Sequence, residues 1–299
     1  MERQPPATAA PRQQWTVLSL VEWSARHLQE KGFDEARLHV DLLLAHVLGL
    51  QRIGLYTNFD RPLDASELAR FKELFKRRLA HEPLQYILGS TEFMGLRFAV
   101  NAHVLIPRPE TEVLVEAAVA WARTRGTEHL RLLDAGTGSG NIAVSMARFV
   151  PHAEMTGIDV SAEALRVAGA NAAANEVAGI RLLEADMLGD FLPGERFDGI
   201  LSNPPYVPME EWRQLQPEVR DFEPRIATTD GGDGLRFIRR LTELAAARLT
   251  PGGALFMEMG YGQAEAASDC AREAGLREIA LLPDYAGIPR VLSARREGT

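Results

Sequence analysis

The sequence has one cysteine, Cys270, in 299 residues, so it excludes an intramolecular disulfide and suits a reducing, cytoplasmic setting. Cys270 reads as a small helix-face residue. No apolar run is long enough to cross a bilayer as a helix, and no membrane partner is expected. Positive charge is scarce: 33 Lys and Arg stand against 41 Asp and Glu, a net charge of −8. The chain therefore lacks the overall attraction for phosphate backbones on which nucleic-acid binders rely, and no direct nucleic-acid partner is expected. None of the 7 histidines falls in a metal-ligand spacing, so no metal is expected. Residues 1–14 are rich in Pro, Gln and Ala without the apolar core of a signal peptide, and read as a flexible tail. What remains is an ordinary globular composition, 46% hydrophobic and 25% charged, sufficient for a large core and a small accessory domain.

From Val17 to about Ala80, leucine, valine and phenylalanine recur at helical spacing, which predicts a small helical domain over residues 15–84. Asp34 and Asp64 stand where N-caps are expected, and Gly32 and Gly49 where helices stop. Lys72, Lys76, Arg77 and Arg78 form a basic helical segment, read as a solvated face that could also meet an acidic partner. Between Tyr86 and Ile106 the pattern turns β-rich around Gly89 and Gly95, and residues 85–108 read as a β-hairpin linker. The elbow Ile106-Pro107-Arg108-Pro109-Glu110-Thr111-Glu112 then leads into a helix. Residues 109–299 alternate short strands with helices, which predicts an α/β domain with a mostly parallel sheet of seven strands. The last two strands have no helix between them, so the final one is expected to run antiparallel.

Asp134-Ala135-Gly136-Thr137-Gly138-Ser139-Gly140 closes the first strand of this domain and opens its first helix, where open parallel sheets bind ligands. Its Gly-x-Gly-x-Gly spacing differs from the dinucleotide fingerprint, and no Lys-Ser/Thr follows for a phosphate loop. The charge of Asp134 would sit poorly beside a diphosphate and suits the ammonium and sulfonium of S-adenosylmethionine. Asp159 ends the second strand, where a carboxylate can accept both ribose hydroxyls, although a helix N-cap is the plainer role and Ser161 could fill it instead. Asp186 ends the third strand and can accept from an adenine amino group, with Met187 and Leu188 against the base. Each carboxylate alone is an ordinary turn residue; in series they describe an adenosyl pocket.

Asn203-Pro204-Pro205-Tyr206 ends the fourth strand. The prolines fix their own φ, bias the preceding residues toward extended backbone, and donate no hydrogen bond. The Asn203 side-chain oxygen and the Pro204 carbonyl remain as acceptors, and Tyr206 offers a flat face. Two acceptors and a ring suit a planar NH2 group, with nucleic-acid bases and protein amides equally admissible. A proline turn beside an incidental tyrosine is the plainer alternative.

The glycine loop together with Asn203-Pro204-Pro205-Tyr206 resembles class I methyltransferases that act on planar amino groups. The proline elbow, Phe222-Glu223-Pro224-Arg225, Gly231-Gly232-Asp233-Gly234-Leu235 and the helical amino-terminal domain resemble the release-factor glutamine methyltransferase family more specifically. The resemblance implies a seven-stranded, Rossmann-like methyltransferase sheet with a small helical domain joined by the hairpin. It also implies S-adenosylmethionine as methyl donor, S-adenosylhomocysteine as product, and the glutamine of the Gly-Gly-Gln motif of peptide chain release factors as substrate. Carried over, Gly136, Thr137, Gly138, Ser139, Gly140, Asp159, Asp186, Met187 and Asn203 bind the cofactor. Asn203, Pro204, Pro205 and Tyr206 form the catalytic and substrate-binding set. Ala135 and Met187 depart from the family pattern, which carries a larger aliphatic and an aromatic there. A ribosomal-protein glutamine methyltransferase, a nucleic-acid adenine methyltransferase and a noncatalytic adenosyl-binding module are the alternatives, and an NAD-linked oxidoreductase fits least. A monomer is expected.

Overall fold

Among the described residues, helical spacing in the first third of the chain becomes five helices: α1 (Val17–Glu30), α2 (Ala36–Leu48), α3 (Arg52–Tyr56), α4 (Ala65–Leu79) and α5 (Leu84–Leu88). The structure is a computed structural model that describes residues 14–126 and 129–298, so the tail expected over residues 1–14 lies almost wholly outside the described residues. Two compact units divide between Leu88 and Gly89.

In the first unit α1 starts at a Thr16–Ser19 capping box and α4 at an Asp64–Glu67 capping box, so Asp64 caps as expected. Asp34 does not: α2 begins one residue later, from Glu35 in a left-handed turn with φ 50°, and no side chain caps it. Gly49 ends α2 at φ 65°, a conformation glycine adopts without Cβ strain. Val21, Leu28, Val40, Leu43, Leu44, Phe71 and Phe75 fill the core. The basic segment does not form one solvated face. Successive helical residues are rotated about 100°, so Arg78 turns inward, 2% exposed and 4.5 Å above the Phe33 ring. Two short helices had no sequence signal. α3 spans barely one turn, and α5 occupies Leu84–Leu88, where the β-rich stretch was expected to begin.

The second unit opens with a hairpin of β1 (Ser90–Phe93) and β2 (Leu96–Ala99), turned at Met94 and Gly95 with φ of 52° and 69°. Positive φ at both central residues is what the type I′ two-residue hairpin turn requires. Asn171 holds β2 by accepting from the Ala99 amide at 2.7 Å and donating to its carbonyl at 3.0 Å.

Then follow α6 (Pro109–Thr124), β3 (Leu130–Ala135), α7 (Asn141–Phe149), β4 (Ala153–Asp159), α8 (Ala162–Ala174), β5 (Arg181–Glu184) and β6 (Phe197–Ser202). Three short helices come next, α9 (Met209–Trp212), α10 (Pro217–Phe222) and α11 (Arg225–Thr228). The chain finishes with α12 (Arg236–Arg248), β7 (Leu249–Glu258), α13 (Ala264–Glu273), β8 (Arg277–Pro283) and β9 (Pro289–Arg295). The seven-stranded sheet has the order β5-β4-β3-β6-β7-β9-β8, and β9 is antiparallel to both neighbours as expected. Side chains alternate across it: Leu132 joins the layer with α6 and α7, and Leu133 the layer with α12 and α13. The order reverses direction between β3 and β6, and at such a switch point the loops diverge and leave a crevice at the strands' carboxyl ends.

Candidate active site

The crevice is a cavity of about 460 Å³, lined from the carboxyl ends of β3 to β6, from residues 102–107 and from the segment 224–237. Its floor is the glycine loop. Gly136, Gly138 and Gly140 have φ of 80°, 54° and 79°, but they serve different ends. A Cβ on Gly136 would lie 2.9 Å from Met187 Cε, and one on Gly140 would lie 3.0 Å from Ala168 Cβ, so these two permit close packing. A Cβ on Gly138 would meet nothing within 4 Å, which leaves that backbone open to a ligand. Gly136, Thr137, Gly138 and Ser139 line the cavity; Gly140 lies behind it, at the start of α7.

Asp134 is not a lining residue, which corrects the reading of its charge as facing a cation. It lies fully buried beneath the loop, where its Oδ2 accepts from Thr137 Oγ1 at 2.6 Å and from the Ala143 amide at 3.2 Å. Among the described residues its Oδ1 has no partner, and burial pushes the carboxyl up to about 7. Asp159 does line the cavity. Its two oxygens accept from the Gly138 and Ser161 amides at 2.8 and 2.9 Å, and burial raises its pKa. Ser161 caps α8, so Asp159 is not spent on that helix. Each of its oxygens keeps a lone pair for a further donor. Asp186 and Met187 line the opposite wall, and Arg240 steadies that turn by donating from Nε to the Met187 carbonyl at 2.9 Å. The cavity volume, the open Gly138 backbone and the carboxylates at successive strand ends fit an adenosyl cofactor.

Asn203 and Pro205 line the same cavity, while Pro204 and Tyr206 lie beside it. The turn is held from three directions. Ser202 Oγ donates to the Ala135 carbonyl at 2.6 Å, which ties the end of β6 to the glycine loop. Asn203 Nδ2 donates to Thr111 Oγ1 at 3.0 Å, Thr111 Oγ1 donates to Glu258 Oε2 at 2.6 Å, and Tyr206 Oη donates to Glu258 Oε1 at 2.9 Å. Gln263 Nε2 donates to the Tyr206 carbonyl at 2.8 Å. Among the described residues nothing donates to Asn203 Oδ1 or to the Pro204 carbonyl. Burial raises the Tyr206 hydroxyl well above its usual range, and Glu258 adds to that shift. Burial raises the Glu258 carboxyl as well, and the hydrogen bonds from Thr111 and Tyr206 oppose it.

The other family-like segments converge here. Glu223, buried, pairs with Arg108 and accepts from the Ile106 amide at 3.3 Å, so it locks the elbow that forms one rim. Asp230 accepts from the Gly232 and Gly234 amides at 2.8 and 3.0 Å and shapes the glycine-rich segment.

Two family models match: the one described as the PrmC N-terminal domain over residues 19–89, and the one described as the methyltransferase small domain over residues 111–216. A release factor glutamine methyltransferase from Geobacter sulfurreducens is 44% identical over 284 residues, covering 94% of this chain and 97% of that protein. The chain belongs to the release factor glutamine methyltransferase family. A second relative of that name, from Bordetella pertussis, is 46% identical over 255 residues, covering 85% of this chain and 93% of its own. The crystal structure of a methyltransferase from Pyrococcus furiosus shares the fold, with a TM-score of 0.50, 18% identity and coverage of 77% of this chain and 98% of that one.

Reading the sequence missed Glu258, Gln263 and the lining residues 102–105. Thr111 and Glu223 stood inside motifs that carried the resemblance, without any sign of what they touch. Glu258 has one available signal, a carboxylate ending an otherwise apolar strand, Ala254-Leu255-Phe256-Met257-Glu258.

Proposed function

We propose that this chain transfers a methyl group from S-adenosylmethionine to the side-chain amide nitrogen of the glutamine in the Gly-Gly-Gln motif of peptide chain release factors. The observation that carries the reading is the pair of unengaged acceptors, Asn203 Oδ1 and the Pro204 carbonyl, on a turn at the cavity's edge. Two acceptors match the two N–H groups of a primary amide. Family membership directs the choice of amide toward release factors.

Gly136 to Ser139, Asp159, Asp186 and Met187 are the residues that would hold the cofactor, with Asp159 accepting from ribose hydroxyls and Asp186 from the adenine amino group. When bound, S-adenosylmethionine supplies the methyl group and leaves as a neutral thioether. An amide nitrogen is a poor nucleophile, because its lone pair is delocalised into the carbonyl. Asn203 and Pro204 offset this by taking one N–H each, which favours a pyramidal nitrogen and stabilises the positive charge that develops as the N–CH3 bond forms. Such orientation and preorganised polarity contribute on the order of several kcal/mol. Tyr206 flanks the amide plane. The nitrogen loses one proton to solvent after transfer, which restores a neutral amide.

The test incubates the full chain with labelled S-adenosylmethionine and, in separate reactions, a release factor, the same factor with its Gly-Gly-Gln glutamine changed to alanine, ribosomal protein, and DNA. Label is expected in the intact release factor alone. Label in the alanine variant, or only in ribosomal protein or DNA, overturns the reading.

A further inference from the structure

Glu258 takes no part in the chemistry just described, yet it stands at the centre of the clamp's support. It ends β7 at 1% exposure. Among the described residues no lysine or arginine forms an ion pair with it, and its oxygens are taken instead by two hydroxyls, Thr111 Oγ1 and Tyr206 Oη. Burying a carboxylate without a cation costs several kcal/mol, so a fold gains nothing from it by stability alone. The direction of the hydrogen bonds gives it a purpose. Both hydroxyls spend their single proton on the Glu258 oxygens, Thr111 Oγ1 on Oε2 and Tyr206 Oη on Oε1. Thr111 then has only a lone pair to offer Asn203. Asn203 must turn its NH2 inward, at 3.0 Å from Thr111 Oγ1, and its oxygen is left for the substrate.

We propose that Thr111 and Glu258 are positioning residues that set the direction of the Glu258–Thr111–Asn203 hydrogen-bond chain and so present the Asn203 oxygen, not its NH2, to the glutamine amide. The proposal rests on the reading that Asn203 accepts from that amide. Glutamine at position 258 removes the constraint, because its NH2 can donate to Thr111 where the Glu258 oxygen now accepts. The chain can then run backwards, with Thr111 donating to Asn203 Oδ1. That would set NH2 against NH2 and cost the clamp one hydrogen bond to substrate.

The test measures kcat and KM for a release factor, and Kd for S-adenosylmethionine, in the wild type and in Thr111→Ser, Thr111→Val, Glu258→Gln, Asn203→Asp and the Asn203→Asp/Glu258→Gln double variant. Thr111→Ser keeps the hydroxyl and is expected to stay within about threefold of wild type, whereas Thr111→Val loses about tenfold to a hundredfold in kcat, the worth of one hydrogen bond or two. Cofactor Kd stays within about twofold in both, which separates positioning from a general loss of structure. The decisive comparison is the sign of Glu258→Gln. In the wild-type background it lowers kcat. Asn203→Asp alone places an acceptor against the lone pair of Thr111. There Glu258→Gln raises kcat, because the new amide donates to Thr111 and frees the Thr111 proton for the carboxylate introduced at position 203.

Wild-type turnover in Thr111→Val, or the same factor of loss from Glu258→Gln in both backgrounds, overturns the proposal. Should the wild type methylate no release factor, the functional reading fails separately. The chain direction is then read by NMR of the Asn203 side-chain NH2, which is slow to exchange in wild type and Thr111→Ser and fast in Thr111→Val if the proposal holds. Equal exchange in all three sinks it.

Discussion

The glycine loop and the Asn203–Tyr206 turn end neighbouring strands of one sheet, β3 and β6, yet they are held by different means. The glycine loop takes its path from positive φ at Gly136, Gly138 and Gly140 and from Asp134, which binds Thr137 and Ala143, and its outside supports come from the next two elements, β4 and α8, through the Ile158 carbonyl, Asp159 and Asn171. The Asn203–Tyr206 turn is stiffened by its prolines but aimed by residues remote in sequence: Thr111 from α6, Glu258 from β7, Gln263 from the start of α13 and Ala135 from β3. One site thus combines a loop held by itself and the elements that follow it and a clamp held from across the domain. Substitutions far from the clamp in sequence should disable it, while those in the glycine loop should act on the loop itself.

The largest effect is expected from Gly234→Ala. The new Cβ would lie 2.4 Å from the Tyr206 carbonyl and 2.7 Å from Gln263 Nε2, at a φ of 80° that suits glycine. Neither neighbour can retreat without moving the clamp, so the expected cost is about 3 kcal/mol or more of stability. Turnover should fall at least about a hundredfold if the clamp shifts by an ångström. Chemical denaturation and single-turnover methylation check the two parts. Near-wild-type turnover would mean the clamp is not aimed from this distance.

This contrast also explains what could be read from the sequence. The strands, the final antiparallel pairing, the glycine loop and the Asn203-Pro204-Pro205-Tyr206 turn were legible because short apolar stretches, glycine spacing and proline constraints act within a few residues. Glu258 and Gln263 were not, because a carboxylate at a strand end and a glutamine before a helix acquire meaning only from the partners that the sheet order brings to them. Asp134 was misread for the same reason. Its place before the loop was plain, but whether it faced the cavity or lay beneath the loop depended on the loop's own turn. Asp34 failed more simply, since a left-handed Glu35 moved the start of α2 beyond its reach.

Asp134→Asn probes the local side of the comparison through pH. Burial raises the folded-state carboxyl from its ordinary 3.8 to about 7. The folded state therefore binds the proton more tightly than the unfolded state, and stability is lost as pH climbs between these values. Between pH 5 and 8 the wild type should lose about 3 kcal/mol that the variant does not. Urea unfolding of both proteins across that range gives the difference. A pH-independent difference would show that the loop stabilises the charged carboxylate and not the neutral acid.

Gln263→Ala returns to the clamp at a smaller scale. Gln263 accepts from the Gly260 amide at 2.7 Å and donates to the Tyr206 and Gly234 carbonyls at 2.8 and 3.3 Å, so its loss takes this partner from three backbone groups, two of them in buried bonds. A cost of about 2 kcal/mol is expected, with kcat falling more than cofactor affinity. Loss of cofactor affinity with kcat preserved would place Gln263 on the side of the glycine loop and weaken the division between the two regions.

Gly138→Ala should have the smallest effect on stability and the clearest on ligand binding. No atom lies within 4 Å of the position a Cβ would take, so the only folding cost is the left-handed φ of 54°. That cost is about 1 kcal/mol. The methyl group would enter the cavity where backbone is now open, and S-adenosylmethionine should bind about tenfold more weakly, the loss of roughly one contact's worth of free energy. Because the clamp's supports are untouched, kcat at saturating cofactor should stay near wild type. Titration calorimetry and saturation kinetics on the same preparation separate the two quantities. A fall in kcat without a change in affinity would mean that the loop also aims the clamp, and that Ser202, which joins the two through the Ala135 carbonyl, transmits more than position.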